Sequence, residues 1–131
     1  MNKFITGQYP LLQILAMKSL VFRLEESIIF KSEKFGIHEV PIRFVTDLAS
    51  IPWFVPIKQS SDVSAPAILH DSLYCFQKVD RLTADNLFLE AMEVNGVPKW
   101  KRTLFYYTLR AAGWWGWNRA TKKKKENDKK N

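Results

Sequence analysis

The sequence predicts an α+β protein: a small antiparallel β meander from the N-terminal half, packed by about three C-terminal helices. Three observations lead there. Short runs of β-branched and aromatic residues crowd positions 19–50. Two prolines within Ile51-Pro52-Trp53-Phe54-Val55-Pro56 then break the chain into an extended loop. Beyond it the pattern turns helical, with caps and stops at regular intervals. Strands first and helices after argue for segregated layers rather than alternating βαβ units.

Each element has its own local cause. Leu20-Val21-Phe22-Arg23-Leu24 and Ser27-Ile28-Ile29-Phe30-Lys31 have strand composition, and Lys34-Phe35-Gly36 marks the turn after them. Residues 37–40 begin a third strand. Ile42-Arg43-Phe44-Val45 alternates behind Pro41, which a strand start tolerates. Lys58 to Val63 is polar and reads as loop. Ser64 caps a helix over residues 65–78, with Pro66 in its first turn. Thr83 caps a second helix over 84–94, stopped by Asn95-Gly96. Pro98 opens a third, reaching Ala112 before Gly113.

The 131 residues make one domain, expected over 19–118, with an N-terminal arm (1–18) and a disordered basic tail (119–131). Apolar residues are 47% of the chain, enough for a core, which excludes a wholly disordered protein. The single cysteine, Cys75, excludes an intrachain disulfide scaffold. No apolar run reaches the length of a membrane span. Leu11 to Met17 is apolar, but Tyr9-Pro10 and Gln13 interrupt it and no small-x-small site follows, so a signal peptide is not expected. The net charge is +7, of which residues 122–131 supply +4 through six lysines, Glu126 and Asp128. Such a run buries nothing and is expected to be solvated. Its functional use is weak, non-specific contact with nucleic acid or an anionic membrane surface.

Chemistry concentrates in two places. On the first predicted helix, Ala67, His70, Asp71 and Tyr74 fall at i, i+3, i+4 and i+7 and share a side. A surface stripe would favour lysine and glutamate; a His-Asp-Tyr stripe does not look like one. Asp85 opens the next helix, and Arg81 precedes it, so a helical hairpin brings either toward the same seam. Upstream, Thr46-Asp47-Leu48-Ala49-Ser50-Ile51-Pro52 joins a strand to the proline loop, where a fold presents side chains; Asp47 and Ser50 are expected to face His70. Three readings fit. In metal-assisted hydrolysis, Asp47, His70, Asp71 and Asp85 are candidate ligands for zinc, calcium or another divalent ion. In base catalysis, His70 activates a water or the Ser50 hydroxyl, oriented by a carboxylate. In the third, a buried His-Asp-Tyr-Arg network fixes the helices and does no chemistry.

These motifs carry a resemblance. The Thr46–Pro52 segment, Ile68-Leu69-His70-Asp71-Ser72-Leu73-Tyr74, Arg81-Leu82-Thr83-Ala84-Asp85 with Phe88, and Arg110–Trp117 resemble a family of small phage and prophage proteins catalogued as a domain of unknown function. The resemblance spans residues 20–117 and implies a phage origin. Locally, His70-Asp71-Ser72-Leu73-Tyr74 is similar to the His-Asp-x-x-Tyr helix of secreted phospholipases A2. There the histidine activates water, the aspartate binds calcium and the tyrosine bonds an aspartate on an antiparallel helix; Asp85 stands where that partner would be. The glycine-rich calcium loop and the disulfides of those enzymes are absent here. The order His38, His70-Asp71, Asp85 is similar to the His…His-Asp…Asp pattern of metal-dependent phosphohydrolases, which are all-helical.

Trp100, Trp114, Trp115 and Trp117 crowd the last helix and its exit. They cannot all point inward, so Trp114, Trp115 and Trp117 are candidates for a partner or membrane-interface surface. Cys75 is expected to be a buried, inert thiol. Two functions follow. One is a phage-encoded hydrolase whose His-Asp site sits at the sheet–helix junction, with His70, Asp71, Asp47 and Ser50 catalytic and Tyr74, Arg81 and Asp85 in support. The other is a non-enzymatic virion, assembly or host-protein-binding protein in which the same cluster is structural. The expected location is the host cytoplasm, the virion or the inner membrane surface.

Overall fold

A computed structural model describes residues 1–16, 21–47 and 61–130. Among them are six strands: β1 (Lys3–Thr6), β2 (Leu12–Ala16), β3 (Val21–Leu24), β4 (Ile28–Ser32), β5 (Gly36–Val40) and β6 (Val45–Thr46). Four helices follow: α1 (Ser61–Phe76), α2 (Arg81–Val94), α3 (Lys99–Ala112) and α4 (Trp114–Lys130). The architecture is α+β, with strands in the N-terminal half and helices in the C-terminal half.

The strands form two antiparallel three-stranded sheets, ordered β1-β4-β5 and β2-β3-β6, rather than one meander. Ile28 opposes Val40 and Phe30 opposes His38 across β4 and β5. Along β4, Ile28, Phe30 and Ser32 are buried while Lys31 is exposed, the alternation a half-buried strand requires. The residues expected as an N-terminal arm supply β1 and β2, and Phe4 meets Phe30 edge-on at 4.9 Å. Between those strands Gly7 has φ +75°, and a Cβ there would lie 2.8 Å from the Ile28 side chain. β3 and β6 join through Leu24 and Phe44 instead of continuing into β4, with Leu24 N donating to the Phe44 carbonyl and Arg43 N to that of Leu24.

One core layer joins the β1-β4-β5 sheet to α1 and α2 through Ile28, Phe30, Val40, Ile68, Leu69 and Leu87. A second lies between α1, α2 and α3, with Val63, Ala67, Phe88, Met92, Phe105 and Leu109. Wedged between them, α1 is buried on almost every side from Val63 to Tyr74, with Ser64 and Asp71 only half-buried. It is a central helix, not the two-faced helix the spacing suggested.

α1 begins at Ser61, so Pro66 lies inside it and Ser64 does not cap it. A proline there removes the bond that its amide would have given the Asp62 carbonyl. Asn95 Nδ2 supplies that bond at 3.0 Å, and Gln8 Nε2 holds Asn95 Oδ1 at 2.9 Å. For α2 the N-cap is Asp80, whose Oδ1 accepts from Thr83 N at 3.0 Å; these bonds hold the Asp80 carboxyl below its ordinary pKa.

Residues 114–130 form α4, where composition predicted a solvated tail. Tertiary anchors account for this. Trp117 packs edge-on against Tyr74 at 5.1 Å, and Gln77 Nε2 donates to the Trp117 carbonyl and to Thr121 Oγ1. Lysine is a good helix former once the first turns are held.

Candidate active site

The short link between α1 and α2 makes them a helical hairpin, which sets Asp85 of α2 against α1. His70 and Tyr74 lie one turn apart on α1 and point the same way. His70 Nε2 bonds Asp85 Oδ1 at 2.8 Å, and the Tyr74 hydroxyl donates to the same oxygen at 2.6 Å. The other oxygen accepts from Arg110 Nη1 at 2.7 Å, with Arg81 Nη1 at 3.5 Å. Arg81 itself donates to the Leu109 and Arg110 carbonyls, the last turn of α3, where the helix dipole favours a cation.

His70 and Asp85 are both fully buried. Burial pushes the Asp85 pKa up, but the bonds from His70, Tyr74 and Arg110 outweigh it, and the carboxyl stays below its ordinary range. Tyr74 moves the opposite way: burial, then the bond to Asp85 and its charge, push the phenol well above its usual value. The ion and its donors are thus a matched set, with Asp85 ionised and Tyr74 protonated.

One atom is left over. His70 Nδ1 is buried and has no hydrogen-bond partner. Its ring is packed between Tyr74, at 4.1 Å, and Phe88, at 5.1 Å. With Nε2 given to Asp85, Nδ1 is the one ring nitrogen that no neighbour meets.

Asp71 turns away from this network. It is half-buried, accepts a short bond from Thr46 Oγ1, and lines a groove of about 590 Å³. Thr46, Asp47, Tyr74 and Cys75 also line the groove, with Arg119 and Lys123 from α4. Tyr74 therefore belongs to both places: its hydroxyl to the buried network, its side chain to the groove wall.

The predicted residues fall into three groups. His70, Tyr74, Arg81 and Asp85 come together. Asp47 and Asp71 line the groove, and Asp47 is exposed. Ser50 lies outside the described residues, as do Ile51–Pro56. The proposed ligand set of Asp47, His70, Asp71 and Asp85 does not form one cluster: His70 and Asp85 bond each other, and Asp71 bonds Thr46. Among the described residues no group of three or more His, Cys, Asp or Glu is placed to hold a metal ion. His38 bonds the Phe35 carbonyl in the β4–β5 hairpin and does not join His70. Cys75, expected to be buried, is exposed on the groove wall. Partial desolvation and the Asp71 charge nevertheless push its thiol up, against the opposing Lys123, which disfavours the reactive thiolate. Trp117 is an anchor against Tyr74, whereas Trp114 and Trp115 are exposed.

Sequence reasoning did not assign two members of the site. Arg110 stood only at the head of the Arg110–Trp117 motif, with no role; that role depends on α3 crossing α2. Gly113 is the other. A Cβ there would lie 2.7 Å from the Tyr74 hydroxyl and 3.2 Å from Arg81 Nη1, so only glycine lets the α3–α4 corner close over the network.

This is an α+β protein whose helices close on a buried carboxylate held by an imidazole, a phenol and two guanidinium groups. A family model described as "Protein of unknown function (DUF1353)" matches residues 22–109, two thirds of the chain, and the protein belongs to that family. The matched stretch contains Thr46, His70, Asp71, Tyr74, Arg81 and Asp85 and ends one residue before Arg110. None of the curated proteins and none of the solved structures matches the chain.

Proposed function

We propose that the protein is a phage-encoded hydrolase in which His70 is the general base and Asp85 its orienting partner. The observation that carries this reading is the unpaired Nδ1 of His70 on a network in which every oxygen of Asp85 is bonded. A general base needs a fixed tautomer, a carboxylate to stabilise the imidazolium, and one free lone pair. The phage origin is what the resemblance of the motifs around Asp47, His70 and Asp85 to a family of phage and prophage proteins implies.

In this reading the substrate lies in the groove beside Asp71 and Tyr74, and because His70 is fully buried and does not line that groove, the packing around α1 has to open before a water reaches Nδ1. Nδ1 takes a proton from water as the water oxygen bonds the acyl carbon of an ester. The carbon–oxygen bond to the leaving alcohol then breaks, and the proton passes from Nδ1 to that oxygen. Asp85 stays ionised throughout, held by Tyr74 and Arg110. Asp71, fixed by Thr46, positions the water or a polar group of the substrate. No step uses zinc or calcium: His70 and Asp85 bond each other, and among the described residues no three His, Cys, Asp or Glu are grouped to hold a metal ion.

The test is hydrolysis of a panel of p-nitrophenyl esters by wild type and by His70→Gln. Glutamine can place its amide nitrogen near the position of Nε2 and donate to Asp85, but it has no basic lone pair. Activity should fall at least about 100-fold with little change in melting temperature. Unchanged activity in His70→Gln sinks the reading.

The complete burial of His70 and Asp85 favours a second reading, in which the network is a structural clamp and the protein is a non-enzymatic virion, assembly or host-protein-binding component. That reading expects no turnover of any ester and a large loss of stability in His70→Ala, which leaves Asp85 short of a donor.

A further inference from the structure

α3 has an outer face that the fold leaves uncovered. Trp100, Leu104 and Tyr107 are 71%, 53% and 65% exposed. The spacing of four, three and four residues keeps Trp100, Leu104, Tyr107 and Ala111 on one side of α3, and Trp114, 48% exposed, follows beyond the Gly113 corner at the start of α4. The inner side is already used: Phe105 and Leu109 are buried in the core, and Tyr106 bonds Asn86 of α2. Trp115, 65% exposed, stacks edge-on with Trp114 at the start of α4 and widens the patch.

The charge around this patch has one sign. α3 holds four basic residues and no acidic one, and α4 holds seven basic residues against two acidic ones, a net of +9 for the pair. The whole chain carries +7, so the rest of the molecule is net −2. Among the described residues no carboxylate pairs with Lys99, Lys101, Lys122, Lys125 or Lys129. On α4, Trp115, Lys122, Lys125 and Lys129 follow one side of the helix, while Trp117 and Thr121 face α1.

We propose that the Trp100–Leu104–Tyr107 face of α3, with Trp114, Trp115 and the lysines of α4, docks the protein onto an anionic lipid surface. The charge decides between occupants. A second copy laid on this face would set cationic helix against cationic helix, which opposes association. An anionic bilayer complements both features: its surface potential attracts the lysines, and its headgroup region takes up tryptophan and tyrosine rings that are apolar along the body and polar at the tip. The patch lies on a helix surface and needs no rearrangement to bind. No helix among the described residues is long and apolar enough to cross a membrane, so the contact is peripheral.

The test is co-sedimentation of the full chain with vesicles of phosphatidylcholine alone or mixed with phosphatidylglycerol. Two double variants serve as probes: Trp100→Ser with Leu104→Ser, and Lys122→Glu with Lys125→Glu. All four side chains are exposed, and circular dichroism melting verifies that both variants fold. Binding should require phosphatidylglycerol, weaken as salt is raised, and fall at least about tenfold in either variant. Equal binding to phosphatidylcholine vesicles overturns the proposal, as does no binding at low salt. Full binding by the Trp100/Leu104 variant reduces the contact to charge alone and also overturns it. A concentration-dependent dimer in sedimentation equilibrium, abolished by Leu104→Glu, assigns the face to a second copy instead. Duplex DNA bound through Trp100 and Leu104 assigns it to nucleic acid. None of these readouts depends on ester hydrolysis, so the proposal stands or falls separately from the assignment of His70.

Discussion

Asp85 concentrates the most electrostatic consequence in one residue. It is fully buried, ionised and bonded by three side chains, so neutralising it leaves Arg110 and His70 facing an amide. Asp85→Asn should cost about 3–5 kcal/mol, the range for breaking a buried pair on one side, measured by urea denaturation at neutral pH. The pH dependence has a definite sign. The folded pKa of Asp85 lies below the unfolded value, about 3.9 for an aspartate. Its contribution is therefore complete above that value and is lost as pH falls through the folded pKa. The acid limb of the stability curve should flatten in Asp85→Asn; an unchanged limb would show that other carboxylates govern it. Tyr74 acts at the other end. Its folded pKa is raised, so its contribution is complete below about pH 10 and erodes as pH climbs beyond that. Gly113 is the steric counterpart of these charges. Gly113→Ala should destabilise by about 1–3 kcal/mol through contact with the Leu109 carbonyl and the Tyr74 hydroxyl, and Tyr74→Phe should relieve only the second of these contacts in the double variant.

At the level of elements, α1 tolerates an internal proline because another part of the chain replaces the missing donor. Asn95 reaches the Asp62 carbonyl from the end of α2, and Gln8 holds Asn95 from the N-terminal segment. Asn95→Ala should cost about 1–2 kcal/mol in thermal melts, and Pro66→Ala should recover much of it by restoring the backbone amide. If Pro66→Ala is equally stabilising with Asn95 present, the Asn95 bond carries little. α4 makes a similar point about composition. Lys122–Lys125 and Lys129 are exposed, whereas Trp117 and Thr121 tie the helix to α1. A chain ended after Thr121 should melt within about 1 kcal/mol of wild type. One ended after Gly113 should lose about 3 kcal/mol or more, since the Tyr74 ring loses its tryptophan cover. Equal melting temperatures for the two truncations would mean that α4 packs without consequence.

The whole molecule separates its features by location. A carboxylate network sits where α1, α2 and α3 meet, a groove runs between α1, β6 and α4, and a cationic aromatic face covers the outside of α3. Among the described residues, Tyr74 is the network member that lines the groove. If His70 is the base, catalysis and membrane contact occupy different surfaces. Exposed-face variants should then change binding to vesicles while leaving hydrolysis of a soluble ester unaltered. A parallel loss of soluble-ester turnover in Trp100→Ser would show that the two surfaces are coupled.

How much of this was legible in the residues depends on the range of the interaction. The α+β class, the existence of β3, β4 and β5, and the stops of α2 and α3 follow from patterning and capping within a few residues, whereas the strand expected over Ile42–Val45 is a turn at Ile42 and Arg43, where Arg43 has φ +72°, and only Val45–Thr46 pair as β6. So does the grouping of His70, Tyr74 and Asp85, because helical spacing and a short hairpin are local constraints. The strand pairing was not legible: β3 and β4 are neighbours in sequence but lie in different sheets, and the short β1 and β2 carry weak individual signals. Nor was the separation of Asp71 from His70. Adjacent helical positions are about 100° apart, and only the packing of α2 on one side and α4 on another decides where each points. Arg110, Gly113 and the order of α4 also depended on tertiary contacts. The chain by itself determined which residues can carry charge, turn or cap. The tertiary structure alone decided which charges are buried together, because burial is set by neighbours that are distant in sequence.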